Sequence, residues 1–213
     1  MRAAATGLGI FLAAAWGAGL HAQSRWSVTG SLGAARQIVT SRLGPARARL
    51  TGSLFDATAE VGHGRVMARL RYAQGRVTGD TAAQDVVAGE ALLGYRARPW
   101  LGVWIGPQAR TFVAPGLSDR RWLFWTARVT ARGAIFPGRV DSFAELWQGL
   151  SGRLNRPAAS AGGGGAELGI EARLARRPVW ARFAYRIEQG RVDGGRRDTV
   201  EGLALTVGYA PPR

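Results

Sequence analysis

Proton-transfer chemistry at neutral pH most often runs through histidine, and this chain has two. His21 closes an N-terminal apolar run, and His63 sits between glycines in Gly62-His63-Gly64. A Ser-His-Asp or Asp-His mechanism needs the imidazole within hydrogen-bond reach of its partners. A histidine held between two glycines reads instead as a solvated turn residue. Paired carboxylates are the next candidates. Glu167 with Glu171, and Asp141 with Glu145, each share one face of a strand, because side chains there repeat every second residue. Arginines crowd the surrounding segments, so ion pairing is the expected role of both pairs. Gly162 to Gly165 lacks the Lys and Ser/Thr of a phosphate-binding loop and precedes no helix, and reads as a flexible outer loop. Asp80, Asp85, Asp119, Asp193 and Asp198 fit no calcium-loop spacing. Cysteine is absent, which excludes disulfides and thiolate metal centres. The expectation is a protein that is not an enzyme, with no catalytic residues, cofactor or metal.

The elements that would position these residues begin after a leader. Met1-Arg2 opens a positive segment, Ala3 to Leu20 carries no charge, and His21-Ala22-Gln23 offers a processing site. This predicts a signal peptide over 1–22 and one domain over 23–213. Roughly 18 apolar residues also suffice, marginally, for a membrane helix; the Ala and Gly content and the processing site favour secretion. No later run is long enough to span as a helix. A chain that enters lipid without one does so as strands closed into a barrel, since open sheet edges in lipid leave backbone groups unpaired.

Period-two alternation marks ten strands. They are Trp26–Ala35, Arg47–Val61, Arg65–Gln74, Val86–Arg96, Trp100–Val113, Arg121–Ile135, Val140–Leu150, Ala166–Leu174, Val179–Glu188 and Thr199–Tyr209. A phase slip at Leu54-Phe55 predicts a β-bulge, and Pro107 predicts a bulge or break in the fifth strand. Connections after the even strands are tight and rich in Gly and Pro. Those after the odd strands are longer: 36–46, 75–85, 114–120, 151–165 and 189–198. Short periplasmic turns and longer outer loops are the pattern of an up-and-down transmembrane barrel. One miscounted hairpin would make the count eight or twelve.

The apolar face carries Trp26, Tyr95 and Tyr209 toward the expected periplasmic side, and Tyr72, Trp125 and Tyr185 toward the outer side. Two such groups read as interfacial aromatic girdles. The opposite face carries Arg69, Arg71, Arg110, Arg128, Arg132, Arg173, Arg182 and Arg186. It also carries Asp56, Glu60, Glu90, Asp141, Glu145, Glu167, Glu171 and Glu188. Equal numbers of each sign predict a lumen filled by ion pairs, because an isolated buried charge costs several kcal/mol. All 29 basic residues are arginine, against 14 acidic ones. The excess therefore falls on loops and rims, including Arg42, Arg47, Arg120, Arg121, Arg153, Arg156, Arg196 and Arg197. Guanidinium groups there suit lipid phosphates, and nucleic acid is not an expected partner.

With its leader, its turn alternation and its last strand, Glu201-Gly-Leu-Ala-Leu-Thr-Val-Gly-Tyr209, the chain resembles small bacterial outer-membrane β-barrels of the OmpA/OmpX-like type. The alternating hydrophobics ending in an aromatic resemble the assembly signal of that class, although Ala210-Pro211-Pro212-Arg213 follow it. The resemblance implies an outer-membrane location, contact with lipopolysaccharide headgroups, recognition by the barrel assembly machinery and a monomeric state. Three functions stay open. One is a plugged barrel with a structural or interaction role at the cell surface. The second is a narrow anion-preferring pore. The third is a soluble secreted ligand-binding barrel, with its apolar face turned inward.

Overall fold

A computed structural model describes residues 26–79, 83–113, 120–154, 161–174, 177–192 and 196–210. The predicted signal peptide lies outside the described residues. The ten strands are β1 (Trp26–Leu43), β2 (Ala46–His63), β3 (Val66–Thr78), β4 (Ala83–Arg98), β5 (Leu101–Val113), β6 (Arg120–Phe136), β7 (Val140–Leu154), β8 (Ala161–Arg173), β9 (Val179–Val192) and β10 (Arg196–Tyr209). Each pairs antiparallel with its sequence neighbours. The ring closes between β1 and β10, from Gly30↔Tyr209 to Arg42↔Arg197. Closure leaves no sheet edge, which is the condition for a sheet to sit in lipid. Among the described residues no helix is long and apolar enough to cross a membrane.

Alternation places the apolar face outward. On β10, Leu203, Leu205, Val207 and Tyr209 are exposed, as are Phe183 and Tyr185 beside them on β9. The soluble alternative, which needs this face inward, is thereby overturned. Outward positions turn polar at Arg36, Gln74, Gln189 and Glu201, which marks the upper edge of the apolar belt. Leu205 lies mid-belt on β10. Leu205→Arg should weaken the folded state in lipid vesicles by about 2–4 kcal/mol, as for a cation near the midplane of such barrels. Urea titration in vesicles reads this, and a shift near zero would mean that this face is not in lipid.

Several expected connections are strand. β1 runs on to Leu43 and β2 starts at Ala46, so the expected loop 36–46 is a two-residue turn, Gly44-Pro45, with Gly44 at φ 56°. Strand pairing does not need lipid. Beyond the belt, backbone ladders continue with polar residues on the outer face, and the sequence loses its alternation there. Arg42, Arg47, Arg196 and Arg197 accordingly lie on strands, as do Arg120 and Arg121 of β6 and Arg153 of β7; Arg156 lies outside the described residues. Gly162 to Gly165 is part of β8, paired with β9 throughout and with β7 at Gly164 and Gly165. No register shift occurs at Leu54-Phe55. Leu50 and Leu54 point inward with Asp56 and Glu60, so the slip is a change in lumen chemistry. Register shifts occur instead at two places in the β6–β7 pairing, between Trp125 and Thr126 and between Ala134 and Phe136, and at the end of β4 between Arg96 and Arg98. Pro107 faces outward. The β4–β5 register is the same on both sides of it, so there is no bulge, but the ladder skips from Glu90↔Gln108 to Leu93↔Ile105, the expected break at Pro107.

Candidate functional site

The interior is the candidate site, and its chemistry is layered along the barrel axis. Toward the outer end, Val39, Leu50, Leu54, Val77, Val86, Phe112, Trp122, Phe124 and Val200 form one buried apolar cluster. Phe112 and Trp122 meet edge to face at 5.6 Å, and Trp122 and Phe124 at 6.0 Å. T-shaped contacts at such distances are the favoured aromatic geometry. Above this cap, Arg196 Nε donates to the buried Asp198 at 3.1 Å.

Below the cap, ion pairs cross the lumen. Arg128 has no exposed side-chain surface. Its Nη1 donates to Glu145 Oε1 at 2.8 Å, and its Nη2 donates to Glu90 Oε2 at 2.7 Å and to Gln108 Oε1 at 2.9 Å. The other oxygen of Glu145 accepts from Arg69 Nη1 at 2.8 Å, a contact spanning β3 to β7. Arg69 Nε also donates to Glu60 at 3.2 Å. Gln108 Nε2 donates to Glu188 at 2.9 Å, joining β5 to β9. Glu188 pairs with Arg110 at 3.0 Å and Arg186 at 3.5 Å. Arg186 reaches Glu167 at 3.6 Å, and Arg71 lies between Asp56 at 3.2 Å and Glu167 at 3.9 Å. Charges so arranged neutralise one another, as a buried network must.

The two carboxylate pairs that invited a catalytic reading are taken up by this arrangement. Register sets Asp141 opposite Glu171 and Glu145 opposite Glu167. Glu171 accepts from Arg182 at 2.6 Å, with Arg132 and Arg173 each at 3.8 Å. Asp141 pairs with Arg173 at 3.1 Å. His63 is exposed in the β2–β3 turn region, with Trp26 as its ring neighbour at 4.6 Å.

Four inward aromatics lie over glycines on the adjacent strand. Trp104 pairs in register with Gly94, Phe143 with Gly169, Trp147 with Gly165 and Trp180 with Gly208. A Cβ at any of these glycines would press on the partner ring. Arginines cover the other faces of the rings: Arg69 over Trp104 at 4.2 Å, Arg182 over Phe143 at 4.5 Å and Trp180 at 4.9 Å, and Arg186 over Trp147 at 4.5 Å. Each stack anchors a guanidinium by cation–π attraction while its nitrogens face carboxylates. Gly165→Ala should therefore cost about 1–3 kcal/mol through overpacking. Gly162→Ala, where an added Cβ meets nothing within 4 Å, should be near neutral. Equal urea midpoints for the two variants would contradict the stacking.

The lumen widens into a vestibule of about 1290 Å³ at the end where β1 begins and β10 ends. Trp104, Trp180, Arg69, Arg182, Glu145 and Glu171 contribute to its wall, and Arg65, Arg96, Arg98 and Arg177 to its mouth. No member of the apolar cap lines it.

Of the residues expected in the lumen, Arg69, Arg71, Glu90, Arg110, Arg128, Asp141, Glu145, Glu171, Arg173, Arg182 and Arg186 all take part in ion pairs. Trp26, Tyr72, Tyr95, Trp125, Tyr185 and Tyr209 are exposed on the outer face. Tyr72, Trp125 and Tyr185 stand mid-strand, because their strands continue past the belt. Gln108, Thr126, the apolar cap and the inward aromatics were not anticipated. Trp104 was legible by parity from outward Val103 and Ile105, and Trp147 from outward Leu146.

A closed antiparallel barrel with an apolar exterior and a charged interior defines a transmembrane β-barrel. No protein-family model matches the chain, and no curated protein matches it in sequence. Among solved structures, the outer membrane protease OmpT from Escherichia coli is similar with a TM-score of 0.53 and 8% identity, over 87% of this chain and 96% of that one. The COG4313 outer membrane channel from Pseudomonas putida F1 aligns with a TM-score of 0.48 and 11% identity, over 91% of this chain and 98% of that one. Neisserial surface protein A aligns with a TM-score of 0.42 and 12% identity, over 89% and 99%. At such identity the likeness to OmpT is one of fold. The protein is a closed ten-strand transmembrane β-barrel with the fold of bacterial outer-membrane barrels and a buried, salt-bridged interior.

Proposed function

We propose that the barrel is a non-conducting outer-membrane protein with a structural or interaction role at the cell surface. One observation carries this reading. Above the vestibule, the Arg128 layer and the apolar cap close the lumen in succession. Small barrels fill with side chains, and open channels need more strands. We assign the protein no catalytic role, because its paired carboxylates are spent on arginines and His63 stands apart at the exposed end of β2. Lipid, including anionic lipopolysaccharide headgroups, is the proposed contact of the arginine-rich outer rim, and the assembly machinery is the partner proposed for the C-terminal strand.

A narrow anion-preferring pore is the second reading. It draws on the basic mouth of the vestibule, where Arg65, Arg96, Arg98 and Arg177 gather. Planar-bilayer recording of the folded chain separates the two. A silent bilayer is expected; steady anion-selective steps would establish the pore and overturn the closed barrel.

A further inference from the structure

Above the apolar belt, four arginines stand side by side on consecutive strands. Arg191 of β9 is the register partner of Arg197 of β10, Arg197 of Arg42 of β1, and Arg42 of Arg47 of β2. All four are exposed. They share the outward parity of Tyr185, Leu203, Ala34 and Phe55 farther down the same strands. The next outward row toward the membrane is Gln189, Thr199, Thr40 and Arg49. It adds a fifth cation and no carboxylate. Among the described residues none of the four arginines has an acidic partner, and the first outward acid below them is Glu201. Like charges directly opposite on paired strands repel, so the row weakens the bare sheet. It gains from an anion that bridges neighbouring guanidiniums, which bind phosphate oxygens through two parallel bonds.

The slope of the row selects the ligand. Strands in such barrels tilt by about 35–45°, so a row perpendicular to them climbs away from the membrane. Arg191 is the second polar outward residue on β9, after Gln189, and stands near headgroup depth. Arg42 lies well beyond Arg36, the first polar outward residue on β1. With strands spaced about 4.8 Å apart, the row is roughly 14 Å long and its two ends stand at different heights. A diacyl phospholipid carries its phosphate at one depth and meets only the Arg191 end. A saccharide-headed lipid carrying several phosphates at successive heights matches the whole row.

We propose that Arg191, Arg197, Arg42 and Arg47 form a ladder that binds successive phosphates of one polyphosphorylated glycolipid of the outer leaflet, of the lipopolysaccharide class. This rests on the interaction role proposed above and gives it a site.

The test uses the folded chain in detergent and measures binding of intact lipopolysaccharide, the same lipid with its phosphates removed, and phosphatidylglycerol. The probe variant is Arg42→Gln/Arg47→Gln/Arg191→Gln/Arg197→Gln. The control, Arg36→Gln/Arg76→Gln/Arg98→Gln/Arg177→Gln, makes an equal charge change off the row. Gel migration before and after heating checks that each is folded, and Arg42→Gln/Arg197→Gln serves if the full variant does not fold. Tenfold or greater loss of lipopolysaccharide binding is expected for the probe variant, with the control within twofold of the parent. Phosphate removal should weaken parent binding by a similar factor, and phosphatidylglycerol should bind at least tenfold more weakly. Equal binding by probe variant and parent, or indifference to phosphate removal, would overturn the ladder. Phosphatidylglycerol binding as tight as lipopolysaccharide would also overturn it, in favour of bulk lipid charge. The closed-barrel reading is scored separately: a silent bilayer with no ladder binding refutes the ladder alone, and ladder binding with anion current refutes the closed barrel alone.

Discussion

Arg128→Ala lowers the unfolding free energy of the barrel by about 3–5 kcal/mol, the scale for removing one partner of a buried ion pair. The effect is large because the guanidinium serves three partners on three strands: Glu90, Gln108 and Glu145. Removing it leaves Glu90 without a described ion-pair partner and Glu145 with Arg69 alone. Arg128→Met retains much of the volume and should lose nearly as much, which assigns the loss to charge. Adding Glu90→Gln to Arg128→Met should recover part of it, because the stranded carboxylate is then gone. Urea titration of the folded chain in detergent reads all three. A loss below about 1 kcal/mol for Arg128→Ala would mean that water already shields these charges, contrary to a dry, paired lumen.

Trp122→Ala removes the centre of the apolar cap, with an expected loss of about 3–5 kcal/mol for a large aromatic in a packed core. Trp122 is 2% exposed. It touches Phe112 and Phe124 edge to face, and it covers Gly190 of β9, where a Cβ would come within 2.9 Å of the ring. The variant should still pass no current, because the Arg128 layer lies below the cap. Conduction should require both layers to be broken, as in Trp122→Ala/Phe124→Ala combined with Arg128→Ala. Current through Trp122→Ala alone would show that the cap is the only barrier.

The barrel was legible because lipid and lumen impose opposite polarity on alternate residues, and Leu203 to Tyr209 or Val66 to Tyr72 keep that alternation cleanly. It failed where one side of the wall lost its chemical contrast. Past Arg36 and Glu201 the outer face meets water, so both faces are polar and strand looks like loop. In Trp122-Leu123-Phe124-Trp125 both faces are apolar, so the local contrast vanishes and only parity carried from outward Trp125 and inward Arg128 marks Trp122 and Phe124 as the inward pair. Leu50 and Leu54 broke the pattern for the same reason, and an apolar cap inside a polar lumen took the appearance of a bulge.

Gly162 to Gly165 shows a different limit. Glycine contributes no polarity to alternate, and its run looks like a linker. Its reason lies on the neighbouring strand, where Trp147 needs the space above Gly165. Such pairings depend on register, which follows from closure of the whole ring. The charged residues of the lumen were found by parity alone, whereas the partner of each needed the barrel geometry. Arg69 and Glu145 are 76 positions apart in sequence.

The central claim is a lumen open at the end where β1 begins and β10 ends and closed at the outer end. The absence of native cysteine makes one measurement direct. Thr58→Cys places a thiol in the vestibule wall, and Val77→Cys places one inside the cap, where the native side chain is 0% exposed. Each is treated with a bulky, membrane-impermeant thiol reagent, first outside intact cells and then after the outer membrane is breached. The closed barrel predicts that Thr58→Cys is labelled only after breaching and Val77→Cys in neither case. Labelling of Thr58→Cys from outside intact cells would show a continuous path through the barrel and contradict it.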